Sequence, residues 1–88
     1  MGMYGMDIDA VRSFAKQLDS KADEIEQIIN ALTSGLGSVQ WEGPDASGFR
    51  QDWETCHRSQ LKNVADALRQ TATTANNNAT QQEQTSAH

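Results

Sequence analysis

The sequence has one cysteine, one proline, one tyrosine and few aromatics of any kind. Each scarcity excludes something. A lone Cys56 rules out an internal disulfide framework, so cysteine usage does not reveal a redox compartment; only a symmetric bridge between two chains stays open. Lys and Arg number 7 against 12 Asp and Glu, are scattered, and leave a net charge of -5. Nucleic acids and anionic membrane surfaces both call for a basic patch, so neither is an expected partner. No run approaches the roughly 18 apolar residues of a membrane-spanning helix. The opening MGMYGMD has neither the basic start nor the apolar centre of a cleaved signal peptide, and Met6 stands where a myristoylation motif wants Ser or Thr. Export, if it occurs, is expected to proceed without a cleaved leader. With 88 residues, one domain with a modest private core is expected, too small for a cleft that binds a small-molecule substrate.

What the chain does have is helical periodicity. Ile8, Val11, Ala15, Leu18, Ala22, Ile25, Ile29, Leu32 and Leu36 alternate steps of three and four, a continuous heptad seam. Phe14 and Ile28 widen it, while Arg12, Lys16, Asp19, Asp23 and Glu26 mark a solvated face. Asp7 is a suitable N-cap, and Gly35 and Gly37 are candidate stops. A second helix starts at Pro44, whose missing amide costs nothing at the first helical position; Gly43 is then the N-cap, with Glu42 and Asp45 at the positive end of the helix dipole. Its seam runs through Phe49, Trp53, His57, Leu61, Val64, Leu68, Ala72, Ala75 and Ala79 at steps of mostly four. Glu54 and Arg58 form an i,i+4 pair on its outside. The expected organisation is a helix over about 7–35, a turn over about 36–43 and a helix over about 44–75, each rod on the order of 40 Å long. The polar stretch 76–88 reads as a frayed helix end and disordered tail.

These elements predict an all-α fold, an antiparallel two-helix hairpin. A lone hairpin buries only the strip where its helices touch, which leaves Phe14, Ile28, Cys56 and Ala65 wet. Packing a second hairpin on it gives a dimeric four-helix bundle, with Leu18, Ile25, Ile29, Leu32, Phe49, Trp53, Leu61, Val64 and Leu68 as its core.

Reactive groups are sparse. Cys56 and His57 are neighbours and point about 100° apart on a helix, a poor nucleophile and base pair; a buried thiol beside a packed histidine is the simpler expectation. No His or Cys spacing suggests a metal site. The stripe Asp19, Asp23, Glu26 is better read as a solvated face than as a cation site. Gly35-Leu36-Gly37-Ser38 follows a helix rather than a strand and is not a phosphate loop. Neither cofactor nor catalytic residue is expected. The unusual feature is the turn VQWEGPDASGF. Trp41 either plugs the end of the hairpin core or keeps an accessible indole as an anchor for a partner; periodicity does not choose between them.

Trp41-Glu42-Gly43, placed between two heptad-like helices, resembles the signature of the WXG family of small type VII (ESX) secretion substrates, the early-secreted-antigen-like proteins. WEGPDASGFRQDW is similar to actinobacterial members in particular, and the likeness spans Asp7 to about Ala75. The resemblance implies a hairpin that dimerises, with itself or with a related protein, and is exported folded by an ATP-driven membrane machine. It also implies that the Trp-Xaa-Gly turn and the partner's C-terminal tail together form an export signal, with Trp41 and Gly43 as its residues here and Glu42 at the variable position. Members carrying the whole signal have a Tyr-x-x-x-Asp/Glu motif after the second helix. The one tyrosine in this sequence is Tyr4, so a partner chain supplies the motif, or a larger effector travels with this one, or the role is different. A chaperone-like adaptor that pairs with a helical segment of a larger effector is the alternative within the same architecture. A coiled-coil scaffold accounts for the heptads but not for Trp41, and an enzyme would need a site shared across the dimer from Cys56 and His57.

Overall fold

A computed structural model describes residues 6–86. Tyr4, Gly2 and His88 lie outside these residues. The chain forms α1 (Ile8–Ser38), α2 (Pro44–Asp52), a π-helical turn (Trp53–His57) and α3 (Arg58–Ser86). The last three run on without interruption as one rod, which packs antiparallel along α1. The fold is an all-α helical hairpin. Its extents of 66 × 17 × 13 Å and radius of gyration of 19.5 Å contrast with the roughly 12 Å expected of a compact chain of this length.

Both helix starts follow from their residues. Asp7 caps α1, its carboxylate accepting from the Ala10 amide at 3.0 Å. Pro44 opens α2 behind Gly43, and the Ser47 amide donates to the Gly43 carbonyl at 3.0 Å, the first helical bond. The helix ends depart from expectation. Gly35 and Gly37 do not stop α1, which continues to Ser38; Gly43 is the only described residue with positive φ. A left-handed stop is not needed because the Val39 amide closes the last turn on the Gly35 carbonyl at 2.9 Å and the Leu36 carbonyl finds a donor elsewhere, described below. Nor does the second helix fray at 76: α3 continues to Ser86, so the long rod exceeds the expected length. The physical reason is packing. Ala79 is buried, Gln82 is half-buried, and Glu83 is held by Arg12 of α1, so the polar composition of this stretch is offset by contacts along α1.

The contact strip is built from small side chains. Ala15, Ala22 and Ile29 on α1 and Ala65, Ala72 and Ala79 on α3 recur every seven residues and are buried, with Ala46 and Trp53 closing the strip towards the turn. Alanine at these positions lets the two axes approach closely, since interaxial distance follows side-chain size. The α1 seam lies where its periodicity put it, except that Leu32 is half open. On the second rod Ala65 is buried instead of wet, and Phe49, His57 and Val64 face out.

The π-helical turn explains that difference. Upstream, Ala46 and Trp53 are seven apart and face α1; downstream, Leu61, Ala65, Leu68, Ala72, Ala75, Ala79 and Gln82 alternate steps of four and three. Trp53 to Leu61 spans one residue too many for a heptad. The Arg58 amide donates to the Trp53 carbonyl, an i→i+5 bond, and this wider turn absorbs the extra residue, keeping both stretches on α1.

Candidate functional site

The hairpin tip is the non-helical segment between Ser38 and Pro44 with the first turns of α2 beneath it. Gly43 has φ +117° and ψ 174°, a region open essentially only to glycine. A Cβ there would meet nothing within 4 Å, so backbone conformation, not lack of space, requires glycine. This sharp bend turns the chain into Pro44 and leaves Trp41 on the outer surface of the tip.

The two tryptophans divide the two roles that the sequence left open. Trp53 is the plug: it is 4% exposed, and its indole N–H donates to Thr33 Oγ1 at 3.0 Å, which satisfies its polar end inside the strip. Trp41 is 42% exposed. Its ring leans on Phe49, with centroids 6.4 Å apart and planes tilted by 46°, and Phe49 in turn lies 6.2 Å from the His57 ring. Phe49, itself 42% exposed, thus extends the indole into an open aromatic ledge.

Arg50, which periodicity did not single out, holds the tip. Its Nε donates to the Leu36 carbonyl at 3.1 Å, one terminal nitrogen to the Trp41 carbonyl at 2.8 Å and the other to the Val39 carbonyl at 3.2 Å. The guanidinium carbon stands 6.0 Å from the centre of the Trp41 ring, within cation–π range. α1 has no basic residue in its last turn; Arg50 reaches across from α2 and places a cation at the negative end of the α1 dipole. The sequence signal was faint: an arginine next to Phe49, nearly two turns into the helix that follows the turn.

The hairpin has two unlike faces. On one, Arg12 pairs with Glu83 at 3.1 Å, Arg69 with Asp23 at 2.7 Å and Glu26 at 3.0 Å, and Lys62 with Glu26 at 2.7 Å. The face expected to be simply solvated therefore bridges the two rods. Hydrogen bonds from Lys62 and then Arg69 lower the pKa of Glu26, and Arg12 does the same for Glu83. Lys62 is raised by Glu26 and Asp66, and Arg69 by Asp23 and Glu26. On each helix the residues on the other side of the contact strip are apolar. Leu18 and Ile25 are half-buried, with Phe14, Ile28 and Leu32 exposed by about half beside them; on α3, Leu61 and Leu68 are half-buried and Val64 is 49% exposed. Of the expected bundle core, only Ile29 and Trp53 are enclosed by the hairpin itself.

Cys56 and His57 are both exposed on the π-helical turn, which corrects the expectation of a buried thiol beside a packed histidine. The extra residue carried by the turn is the cause, since it places the Trp53 side of the helix on α1 and turns these two outward. Among the described residues no helix is long and apolar enough to cross a membrane.

A helical hairpin bent at a Trp-Xaa-Gly tip, with one flank sealed by ion pairs and the other left apolar, is the architecture of a small helical interaction protein. A family model described as "Proteins of 100 residues with WXG" matches residues 3–86, and the chain belongs to this WXG100 family. The family consists of small secreted, non-enzymatic helical proteins of type VII (ESX) secretion that typically pair with related chains. No curated protein and no solved structure matches the chain.

Proposed function

We propose that this chain is a type VII (ESX) secretion substrate or co-substrate that works as a dimer and presents Trp41 and Gly43 as its part of a composite export signal. The observation that carries the reading is the division between the tryptophans: Trp53 fills the core, and Trp41 stands exposed on a bend that only glycine adopts readily. A purely structural tryptophan has no reason to remain 42% exposed when the tip already has a buried one.

The amount of exposed surface supports the dimer. The chain exposes 6474 Å², against about 5,100 Å² for a compact monomer of its mass. The excess is more than the roughly 800 Å² that each partner contributes to a standard interface. Leu18, Ile25, Leu32, Phe49, Leu61, Val64 and Leu68 would be covered by a second hairpin, identical or related, while Ile29 and Trp53 remain the inner layer. The secretion ATPase machinery would then read the Trp41 turn together with the partner's tail.

Export is the test. Trp41→Ala, expressed in a host with a functional type VII system, is expected to accumulate inside the cell with its helicity and dimer intact. Normal export of that variant overturns the signal role, and a melted variant shows that the turn is mainly structural.

A further inference from the structure

An exposed turn of five residues has no helical ladder to satisfy its backbone, and the last carbonyls of the preceding helix are equally unpaired. In this hairpin one Val39 amide bond to the Gly35 carbonyl and one Trp41 amide bond to the Val39 carbonyl, at 2.9 and 3.1 Å, are the main-chain bonds of the segment before Gly43. These leave the Leu36 and Trp41 carbonyls without a main-chain donor and the Val39 carbonyl with only one. All three converge on the Arg50 guanidinium. We infer that Arg50 is a positioning residue for the export turn: it fixes the backbone from the end of α1 through the Trp41 carbonyl and so sets where the indole is presented to the secretion machinery. The inference rests on the export reading of Trp41.

The chemistry suits arginine and no other residue. Its planar fork offers three nitrogens in fixed directions, and each is used on a different carbonyl; a lysine ammonium is a single point on a flexible stem and cannot span the same three. Phe49 and Arg50 are successive residues of α2, so they approach the tip from directions about 100° apart. Phe49 supports the ring of Trp41 while Arg50 holds its main chain. An indole ordered before docking has less conformational freedom to lose on binding, and that raises affinity without any new contact. Hydrogen bonds to a charged donor are strong enough that losing even one shifts an ordered turn towards disorder by about tenfold or more.

The experiment compares Arg50→Lys with Trp41→Ala in the full chain, by export from a type VII host and by the two indole N–H signals in 1H–15N NMR. For Arg50→Lys the expected results are export reduced by about tenfold, a shifted or broadened Trp41 indole signal, an unchanged Trp53 signal and unchanged far-ultraviolet circular dichroism. Blocked export of Trp41→Ala with normal export and unchanged spectra for Arg50→Lys overturns the role of Arg50 and leaves the export reading standing. Normal export of Trp41→Ala refutes the export reading itself; an Arg50→Lys indole shift would then report turn geometry alone and overturn the link to export. Should Arg50→Lys fail to fold, the unmodified protein decides: a sharp, slowly exchanging Arg50 Nε–H signal is expected, and rapid exchange with water overturns the inference.

Discussion

Replacing Gly43 with alanine isolates one cause from several that usually act together. At φ +117° and ψ 174° an L-residue is held in a sparsely populated region at a cost of about 1–3 kcal/mol. Steric overlap adds nothing, because a Cβ at this position faces open space, and no side-chain cap is lost. Over a chain of this size that penalty corresponds to a fall in melting temperature on the order of 5–20 °C. Thermal unfolding followed by circular dichroism, at one fixed protein concentration so that any association contributes equally, measures it. The control is D-alanine at the same position, introduced by chemical ligation. Its mirror-image preference makes the observed φ and ψ relaxed, and it removes glycine's extra freedom in the unfolded chain, so it should match or exceed the parent by roughly 0.4–1 kcal/mol. Equal stability of the L-alanine and glycine proteins would refute the reasoning. So would equal losses from both alanine enantiomers, since that outcome implicates an unseen clash rather than the backbone angle.

Four further outcomes are expected. Trp53→Phe and Thr33→Val each break the 3.0 Å indole bond and should lower stability by about 0.5–1.5 kcal/mol beyond any packing change, the double variant losing less than the sum in a denaturant-unfolding cycle. Deleting Thr55 removes the extra residue carried by the π-helical turn, so the deletion should melt no lower than the parent; collapse of the fold would show that the wide turn is needed for more than register. Introducing aspartate at Ile28 or Val64 should leave helicity intact while abolishing the proposed dimer in light scattering, and a dimer that persists would have its interface elsewhere. For pH, Glu26 and Glu83 have lowered pKa values in the fold, so their contribution is fully present above the ordinary glutamate range and is lost as pH falls through the lowered values. Melting temperature should therefore decline on acidification through that range, and Glu26→Gln should flatten the decline.

Much of the fold could be read before the structure, because a heptad seam and two capped helix starts are local signals. Asp7 and Gly43-Pro44 state their roles in the residue types alone, and the α1 seam is correct to within Leu32. The errors come from interactions distant in sequence. Gly35 and Gly37 look like stops until Arg50, on another helix, takes up the Leu36 carbonyl at the end of α1. The segment after Thr73 looks too polar for a helix until Ala79 and Arg12–Glu83 anchor it to α1. The outward turn of Phe49, His57 and Val64 depends on a π-helical turn whose trace in the sequence is a run of three consecutive four-residue steps, Phe49 to Trp53 to His57 to Leu61. At the tip, the Trp-Xaa-Gly turn was legible, whereas its support was not, since nothing about an isolated arginine announces three carbonyl acceptors.

A seam that repeats every seven residues has a weakness: slid by one repeat, it meets nearly the same pattern and still packs. The alanines of this hairpin, at 15 and 22 on one rod and 65, 72 and 79 on the other, are interchangeable in that sense. The π-helical turn removes the ambiguity. It makes the second rod two phases of one screw, joined at a fixed height, so any element laid along its full length has to match the phase step as well as the pitch. A single inserted residue thus works as an index mark, giving a low-information helical surface one alignment in which all of its layers close.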